Sequence, residues 1–382
     1  MPREPEPSWR DGMRSLHPDE FESLAELVHT VFRPGLVQEY PHFYTPAHAG
    51  EMRVVVVDGR VVSHIGALRR NASIFGCTVR TSSLGGVATY EEHRGKGYAT
   101  ALFEDTMRVC RDDGVDFMLV SGYRKMYHRF GCRYVGRDWE FSVSAEKAGE
   151  FDDDGVELLA ATVDDVPAMA SVYREEHVRW MRPPSDYAHA FDGFVMNRRT
   201  LVFKVCEAGI MRGYLMVQHP SAMGDSISVQ EASGNRRCLT GALGKIIREL
   251  DLRSLNVHVM GCDRWFQECL QSRGLTGTPA NASGTVTLIN FEQFMERMRP
   301  YFAEVIGETE AQSLVFRQQG DEMIFSYGGD QVVAPDQGAA IQLIFGTLEG
   351  AEEALLKSGG RVGEVLAEVF PIPALWYGVN YL

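Results

Sequence analysis

Six consecutive residues, Arg94-Gly95-Lys96-Gly97-Tyr98-Ala99, have the makings of an anion-binding turn. The two glycines admit backbone conformations closed to other residues and leave their N–H groups uncovered. An amphipathic helix opens at the same place and runs to about Asp113, adding its own free N–H groups and the positive end of its dipole. Together these suit a phosphate or diphosphate. With 38 glycines in 382 residues, such a pattern would arise about once by chance, so its surroundings must carry the argument. Apolar Leu84-Gly85-Gly86-Val87-Ala88 precedes the turn, and Ala99, Leu102, Phe103, Thr106 and Cys110 follow at helical spacing. Gly114 ends the helix, and Val115-Asp116-Phe117-Met118-Leu119-Val120 reads as a buried strand. The unit is strand, helix, strand, with the turn at the carboxyl end of the first of two parallel strands. A Walker loop and a dinucleotide fingerprint are both excluded: the Gly-Lys-Ser/Thr ending and the third glycine are missing.

The Arg-x-x-Gly-x-Ala form resembles the acyl-CoA loop of the GNAT acetyltransferases. In that family the loop N–H groups hold the CoA diphosphate and the preceding strand pairs with pantetheine. Moving an acetyl group from a thioester to an amine requires a fixed thioester, a neutral amine and a proton for the leaving thiolate. A tyrosine hydroxyl, with its ordinary pKa near 10, is matched to an alkyl thiolate. Tyr127 is the candidate acid, in Met126-Tyr127-His128-Arg129-Phe130-Gly131 just beyond the second parallel strand. The alternative for Tyr127 is an aromatic covering the sheet end. His128 is a possible base, against the plainer reading of an exposed helix histidine.

The elements that must place these groups are legible around them. A helix is expected over Asp19–Phe32, stopped by Arg33-Pro34-Gly35. Strands at Met52–Val57 and Arg60–Leu68 are joined by Asp58-Gly59, a two-residue hairpin signal. A further strand runs over about Ala72–Ser82, giving a mixed sheet with helices on its faces. From Val156 the order repeats: a helix at Asp164–Trp180, a hairpin about Glu207-Ala208-Gly209, a strand at Ile227–Ala232, a helix at Arg236–Leu250 and a strand at Leu255–Met260. The second copy has Ser233-Gly234-Asn235-Arg236-Arg237 at the cradle position and lacks the Gly-x-Gly/Ala end. From about Thr285 a helix at Phe291–Phe302, three short strands and three further helices form a small α+β unit. Pro371-Ile372-Pro373 then forces an extended tail ending Asn380-Tyr381-Leu382.

Composition sets outer limits. Apolar content of 45% and charged content of 24% describe a soluble globular chain. A net charge of −14 argues against nucleic acid and could draw in a cationic substrate. Seven scattered cysteines without a Cys-x-x-Cys pair favour reduced thiols, a cytoplasmic address and no metal cluster. The polar, proline-rich segment Met1–Ser8 is no secretory signal, and no stretch is apolar enough to span a bilayer.

Leu84-Gly85-Gly86-Val87-Ala88-Thr89, then His93-Arg94-Gly95-Lys96-Gly97-Tyr98, then Met126 to Gly131 closely resembles the Eis (enhanced intracellular survival) family of GNAT N-acetyltransferases. The resemblance implies tandem GNAT folds followed by a sterol-carrier-like domain, divided at 1–150, 151–284 and 285–382, and a homohexamer. It implies acetyl-CoA as cosubstrate, with Val87 and Thr89 lining its strand site and Arg94, Gly95, Lys96, Gly97, Tyr98 and Ala99 around its diphosphate. Tyr127 matches the family's general acid, and the terminal carboxylate of Leu382 matches the group proposed as base. A terminal carboxylate in water is a weak base, and burial in a pocket strengthens it. The chain departs from the family at Gly122-Tyr123-Arg124-Lys125, bulkier and basic near the thioester mouth, and at Asn380-Tyr381-Leu382, without acidic or terminal aromatic residues. Multiple acetylation of aminoglycosides needs a wide acidic pocket, so both departures count against it. The expected activity is acetylation of a primary amine, with a cationic small molecule such as an aminoglycoside or polyamine as first guess. The alternatives are a non-catalytic acyl-CoA-binding protein and a hydrophobic-ligand carrier working through residues 285–370.

Overall fold

Asp58 and Gly59 join the strands Met52–Val57 and Arg60–Ile74 with φ of 49° and 74°, the left-handed pair that a two-residue hairpin needs. The same geometry recurs at Phe75 and Gly76, with φ of 48° and 80°. It divides the expected strand Ala72–Ser82: Arg60–Ile74 turns back there into Cys77–Thr89. A phenylalanine at a left-handed position gives no turn signal in sequence. Its ring stacks on Tyr301 at 4.8 Å, which offsets part of the backbone cost. The computed structural model describes residues 12–122, 124–192, 194–220 and 224–382. The proline-rich segment at the amino terminus and Tyr123 of the basic stretch lie outside the described residues.

The first sheet runs, edge to edge, Met13–Ser15, Met52–Val57, Arg60–Ile74, Cys77–Thr89, Phe117–Val120 and Thr285–Leu288. Cys77–Thr89 and Phe117–Val120 are parallel, linked by the helix Tyr98–Asp112. The second sheet runs Thr278–Ala280, Asp138–Ser144, Ser254–Val259, Ser226–Gly234, Ile210–Gln218, Arg198–Glu207 and Val156–Ala160. Its parallel pair is Ser226–Gly234 with Ser254–Val259, linked by the helix Arg236–Glu249. The order of the first half therefore recurs in the second, as its sequence implies. Two strands are exchanged: Asp138–Ser144 precedes residue 150 yet lies in the second sheet, and Thr285–Leu288 follows 284 yet closes the first.

The expected helix Asp164–Trp180 is shorter, spanning Val166–Tyr173. Val178–Met181 instead forms a strand on Arg60–Ile74. Val178 and Trp180 are buried while Arg179 and Met181 are not, the alternation of a strand with one covered face. The third sheet, Val315–Gln319, Glu322–Tyr327 and Asp330–Ala334, is antiparallel. It packs with the helices Phe291–Ile306, Gln337–Phe345 and Gly360–Val369, and Phe291, Phe294, Phe302, Phe316, Phe325 and Phe345 fill the space between. Among the described residues no helix is long and apolar enough to cross a membrane.

The feature that makes room for a site is a parting of strands. Cys77–Thr89 and Phe117–Val120 pair only from Thr81↔Phe117 to Leu84↔Val120, although the first strand continues to Thr89. A bulge lies at the parting: the register with Arg60–Ile74 shifts between His64 and Gly66, opposite Gly86 at φ 65°. The extra residue bends the strand and turns it away from its parallel neighbour.

Candidate functional site

Gly95 and Gly97 have φ of 77° and 82°, conformations that favour glycine. A Cβ built on either meets nothing within 4 Å, so this side of the turn is open. Gly97 is the N-cap of the 15-residue helix Tyr98–Asp112, and no side chain caps that end. The leading N–H groups of the helix and the open turn share one mouth, which fits a diphosphate. Val87, Thr89, Arg94, Gly95, Gly97, Tyr98 and Ala99 all line one groove of about 560 Å³. The Lys96 side chain is not part of that lining; its ammonium lies 3.2 Å from His93 Nδ1. The Tyr98 ring is buried and stacks on His93 at 6.0 Å.

A cavity of about 200 Å³ adjoins the groove, and Val87 and Arg124 line both spaces. The carboxyl terminus enters here from the far end of the chain. Ser121 Oγ donates to Leu382 O at 2.8 Å, and a Cβ on Gly85 would stand 2.5 Å from Leu382 Cβ. Tyr127, on the short helix Lys125–Arg129, lines the same cavity. Its ring lies over Gly122, where a Cβ would come within 2.8 Å of Tyr127 Cε2. Burial pushes the Tyr127 phenol up, and the neighbouring Arg124 charge offsets part of that. The phenol therefore holds its proton at neutral pH, as a proton donor must. His128 goes elsewhere: it lines a separate groove with Arg129 and Arg133.

The bulge is held from behind. His64 Nδ1 lies 2.7 Å from the Gly86 carbonyl oxygen, and burial pushes the imidazole down to about 4. The ring is thus neutral at pH 7 and Nδ1 donates to the carbonyl. Gly86 has no room for a side chain, since its Cβ would stand 2.1 Å from Tyr44 Oη.

Beside Tyr127 the cavity is aromatic, lined by Phe32, Tyr40, Tyr44 and Tyr381 with Leu36. Arg33 and Arg124 are its charged side chains; among the described lining residues there is no Asp or Glu. Glu39 neutralises Arg33 from outside the lining. Sequence reasoning did not single out Ser121, Tyr40 or Tyr44. Ser121 carried a usable signal, following directly on the strand Phe117–Val120. The tyrosines carried none, because nothing local shows that the segment after the first helix folds over the parted strands. Among the described residues no group of three or more His, Cys, Asp or Glu side chains is placed to hold a metal ion.

Residues 12–135 match the family described as the acetyltransferase (GNAT) domain. No curated protein matches the chain in sequence. Solved structures match it over nearly its whole length. A GCN5-related N-acetyltransferase from Kribbella flavida has a TM-score of 0.66 at 14% identity, covering 97% of this chain and 99% of the other. Another, from Anabaena variabilis, has a TM-score of 0.66 at 12% identity, covering 95% and 97%. Eis1 from Mycobacterium abscessus has a TM-score of 0.64 at 12% identity, covering 95% and 98%. Residues 12–135 thus carry the match to the acetyltransferase (GNAT) domain, and the chain as a whole shares its fold with these structures.

Proposed function

We propose that this GNAT acetyltransferase moves the acetyl group of acetyl-CoA onto the nitrogen of a primary amine. One observation carries the reading: two spaces that share Val87 and Arg124 hold the open Gly95/Gly97 turn in one and Tyr127 with the Leu382 carboxylate in the other. In this reading Gly95, Gly97 and the leading N–H groups of the helix hold the diphosphate, with Arg94 and Lys96 contributing charge at the rim. Val87 and Thr89, on the strand that has lost its parallel neighbour, face the pantetheine arm. As the neutral amine attacks the thioester carbonyl, the C–N bond forms and the C–S bond breaks. Tyr127 gives its proton to the departing sulfur. The surplus proton of the amine passes to the Leu382 carboxylate, directly or through a water, which Ser121 keeps in place.

The lining of the acceptor end bears on the amine. A polycation such as an aminoglycoside or a polyamine needs several carboxylates, and the cavity offers the terminal one, five aromatic rings and two arginines. An ammonium on an apolar or aromatic body fits better, its charge met by the terminal carboxylate and by tyrosine faces. We therefore place monoamines such as arylalkylamines ahead of the cationic substrates expected from sequence. The resemblance further supports a cytoplasmic homohexamer whose residues 285–382 form a sterol-carrier-like domain; light scattering tests the assembly.

The deciding experiment is thiol release from acetyl-CoA across arylalkylamines, polyamines, aminoglycosides and lysine peptides. Turnover is expected with arylalkylamines first. Coenzyme binding without turnover of any amine would overturn the reading in favour of a non-catalytic acyl-CoA-binding protein. Saturable uptake of a fatty-acyl probe by residues 285–370, again without turnover, would favour the carrier.

A further inference from the structure

The second sheet has a parting of the same kind. Ser226–Gly234 and Ser254–Val259 are parallel and pair from Ser226↔Ser254 to Val229↔Val257, after which the first strand continues to Gly234 without this parallel neighbour. As in the first sheet, the register with the preceding strand shifts at the parting, here between Met216 and Val217. Five residues follow the last pair in each case, Gly85 to Thr89 in one and Gln230 to Gly234 in the other, before the chain turns toward its helix. By position this is a second acyl-CoA cleft.

It is occupied by the protein itself at both ends. Where a diphosphate would meet the turn and helix, the Glu176 carboxylate accepts from Gly234 N at 2.9 Å and Ser233 Oγ at 2.8 Å. Arg236, the first helical residue, donates to the same carboxylate from Nη1 at 2.9 Å and Nη2 at 2.5 Å. Asp263 takes its Nε at 2.7 Å. One internal anion thus uses a backbone N–H, a hydroxyl and a guanidinium of the kind that a phosphate would engage. Where a pantetheine arm would bond the unpaired strand, Trp376 of the tail donates its indole N–H to Gln230 O at 2.6 Å. Its ring stacks on His258 at 4.0 Å, and its own carbonyl accepts from Trp180 Nε1 at 2.7 Å. The residual cavity around it is about 60 Å³, too small for a nucleotide arm.

The same tail continues to the first cleft. Val379 N donates to Glu231 Oε2 at 3.1 Å, on the unpaired stretch of the second cleft strand. Arg182, fully buried, ties Glu231 to Asn380 Oδ1, and Asn380 Nδ2 reaches Asp186. Two residues later Leu382 lies against Gly85 in the first cleft.

We propose that the second cleft is no longer a coenzyme site but the seat of the carboxyl-terminal tail, and that Trp376 is a positioning residue for the Leu382 carboxylate. The catalytic half of this statement rests on the acetyltransferase reading above; the seat itself does not. Two measurements test the seat without any turnover. Equilibrium binding of CoA to the wild-type chain should give one coenzyme per chain, and the Gly97→Val variant should bind it about a hundredfold more weakly or not at all. Two coenzymes per chain, or binding of wild-type affinity in Gly97→Val, would overturn the proposal. Carboxypeptidase A followed by intact mass should leave Leu382 in place in the wild-type protein and remove it from Trp376→Ala. Trp376→Phe keeps the ring and loses only the indole donor, so it covers the case of Trp376→Ala failing to fold. It should show intermediate protection, and a tail as protected as wild type in a folded Trp376→Phe would overturn the proposal.

Kinetics test the positioning role. Trp376→Phe should lower kcat roughly tenfold with the KM for acetyl-CoA unchanged, because a misplaced group loses rate without losing coenzyme contacts. An unchanged kcat in that variant overturns the role. If the wild-type protein acetylates no amine, the acetyltransferase reading fails while the coenzyme count and tail protection still decide the seat.

Discussion

Replacing Gly85 with alanine adds one methyl group at the point where the carboxyl terminus meets the parted strands. The backbone there is ordinary for an L residue, so the effect is steric alone. The new Cβ would stand 2.5 Å from Leu382 Cβ and 2.7 Å from Leu382 C, and ordinary contact begins at 3.4 Å. Leu382 must retreat by about 0.9 Å to satisfy the closer of these contacts. The same retreat stretches the bond from Ser121 Oγ to Leu382 O, now 2.8 Å. A chain end yields more cheaply than a core, so the fold survives and the displacement falls on the carboxylate. A misplacement near 1 Å can cost on the order of a hundredfold in rate. Gly85→Ala should therefore lose roughly ten- to a hundredfold in kcat, with CoA affinity and melting temperature close to wild type. Steady-state kinetics, calorimetric CoA binding and a thermal melt measure all three. A kcat within twofold of wild type (about 0.4 kcal/mol on the barrier) would refute the view that the terminus acts from this position.

The remaining predictions concern the other groups of the site. Tyr127→Phe should lower kcat by about 10²- to 10⁴-fold, the usual range for a positioned acid, while CoA binding is unchanged; a wild-type rate removes Tyr127 as the donor. Gly97→Val places a branched side chain at φ 82° and fills the open side of the turn, so CoA affinity should fall by about a hundredfold or more; unaltered affinity in calorimetry would place the diphosphate elsewhere. Acid should destabilise the fold through its buried histidines. Burial pushes His64 and His189 down to about 4 and His42 well below its ordinary value. Between pH 6.5 and 4 the unfolded chain then binds more protons than the folded one, so stability falls as pH falls. The loss at pH 5 should be about 2 kcal/mol for each of His64 and His189. Urea unfolding at pH 7 and pH 5 measures it, and equal stabilities would mean these imidazoles are not held neutral.

The cradle was legible because every part of it is local. Gly95, Gly97 and the helical spacing from Ala99 to Cys110 lie within one short stretch, and the structure gathers that stretch around one groove. Asp58-Gly59 was equally plain as a turn, whereas Phe75-Gly76 carried no signal because an aromatic at a left-handed position is rare. Val178–Met181 was hidden for a different reason: its partner strand, Arg60–Ile74, is more than a hundred residues away. The tyrosine lining and the Trp376 seat depend on segments that meet only through the tertiary fold. Tyr127 entered through its position beyond the second parallel strand and the match of a phenol to a thiolate, Leu382 through family resemblance, and no local pattern would have joined them.

The exchange of strands has a consequence for how the chain is made. Thr285–Leu288 is the last strand of the first sheet and pairs with Phe117–Val120. A ribosome must add more than 160 residues after Val120 before that edge can be closed. Until then the Phe117–Val120 edge stays unsheltered on a nascent molecule, the kind of surface that recruits chaperones or neighbouring strands. Residues 12–135, which match the catalytic family, are for this reason not a unit that can be excised and expected to remain monodisperse.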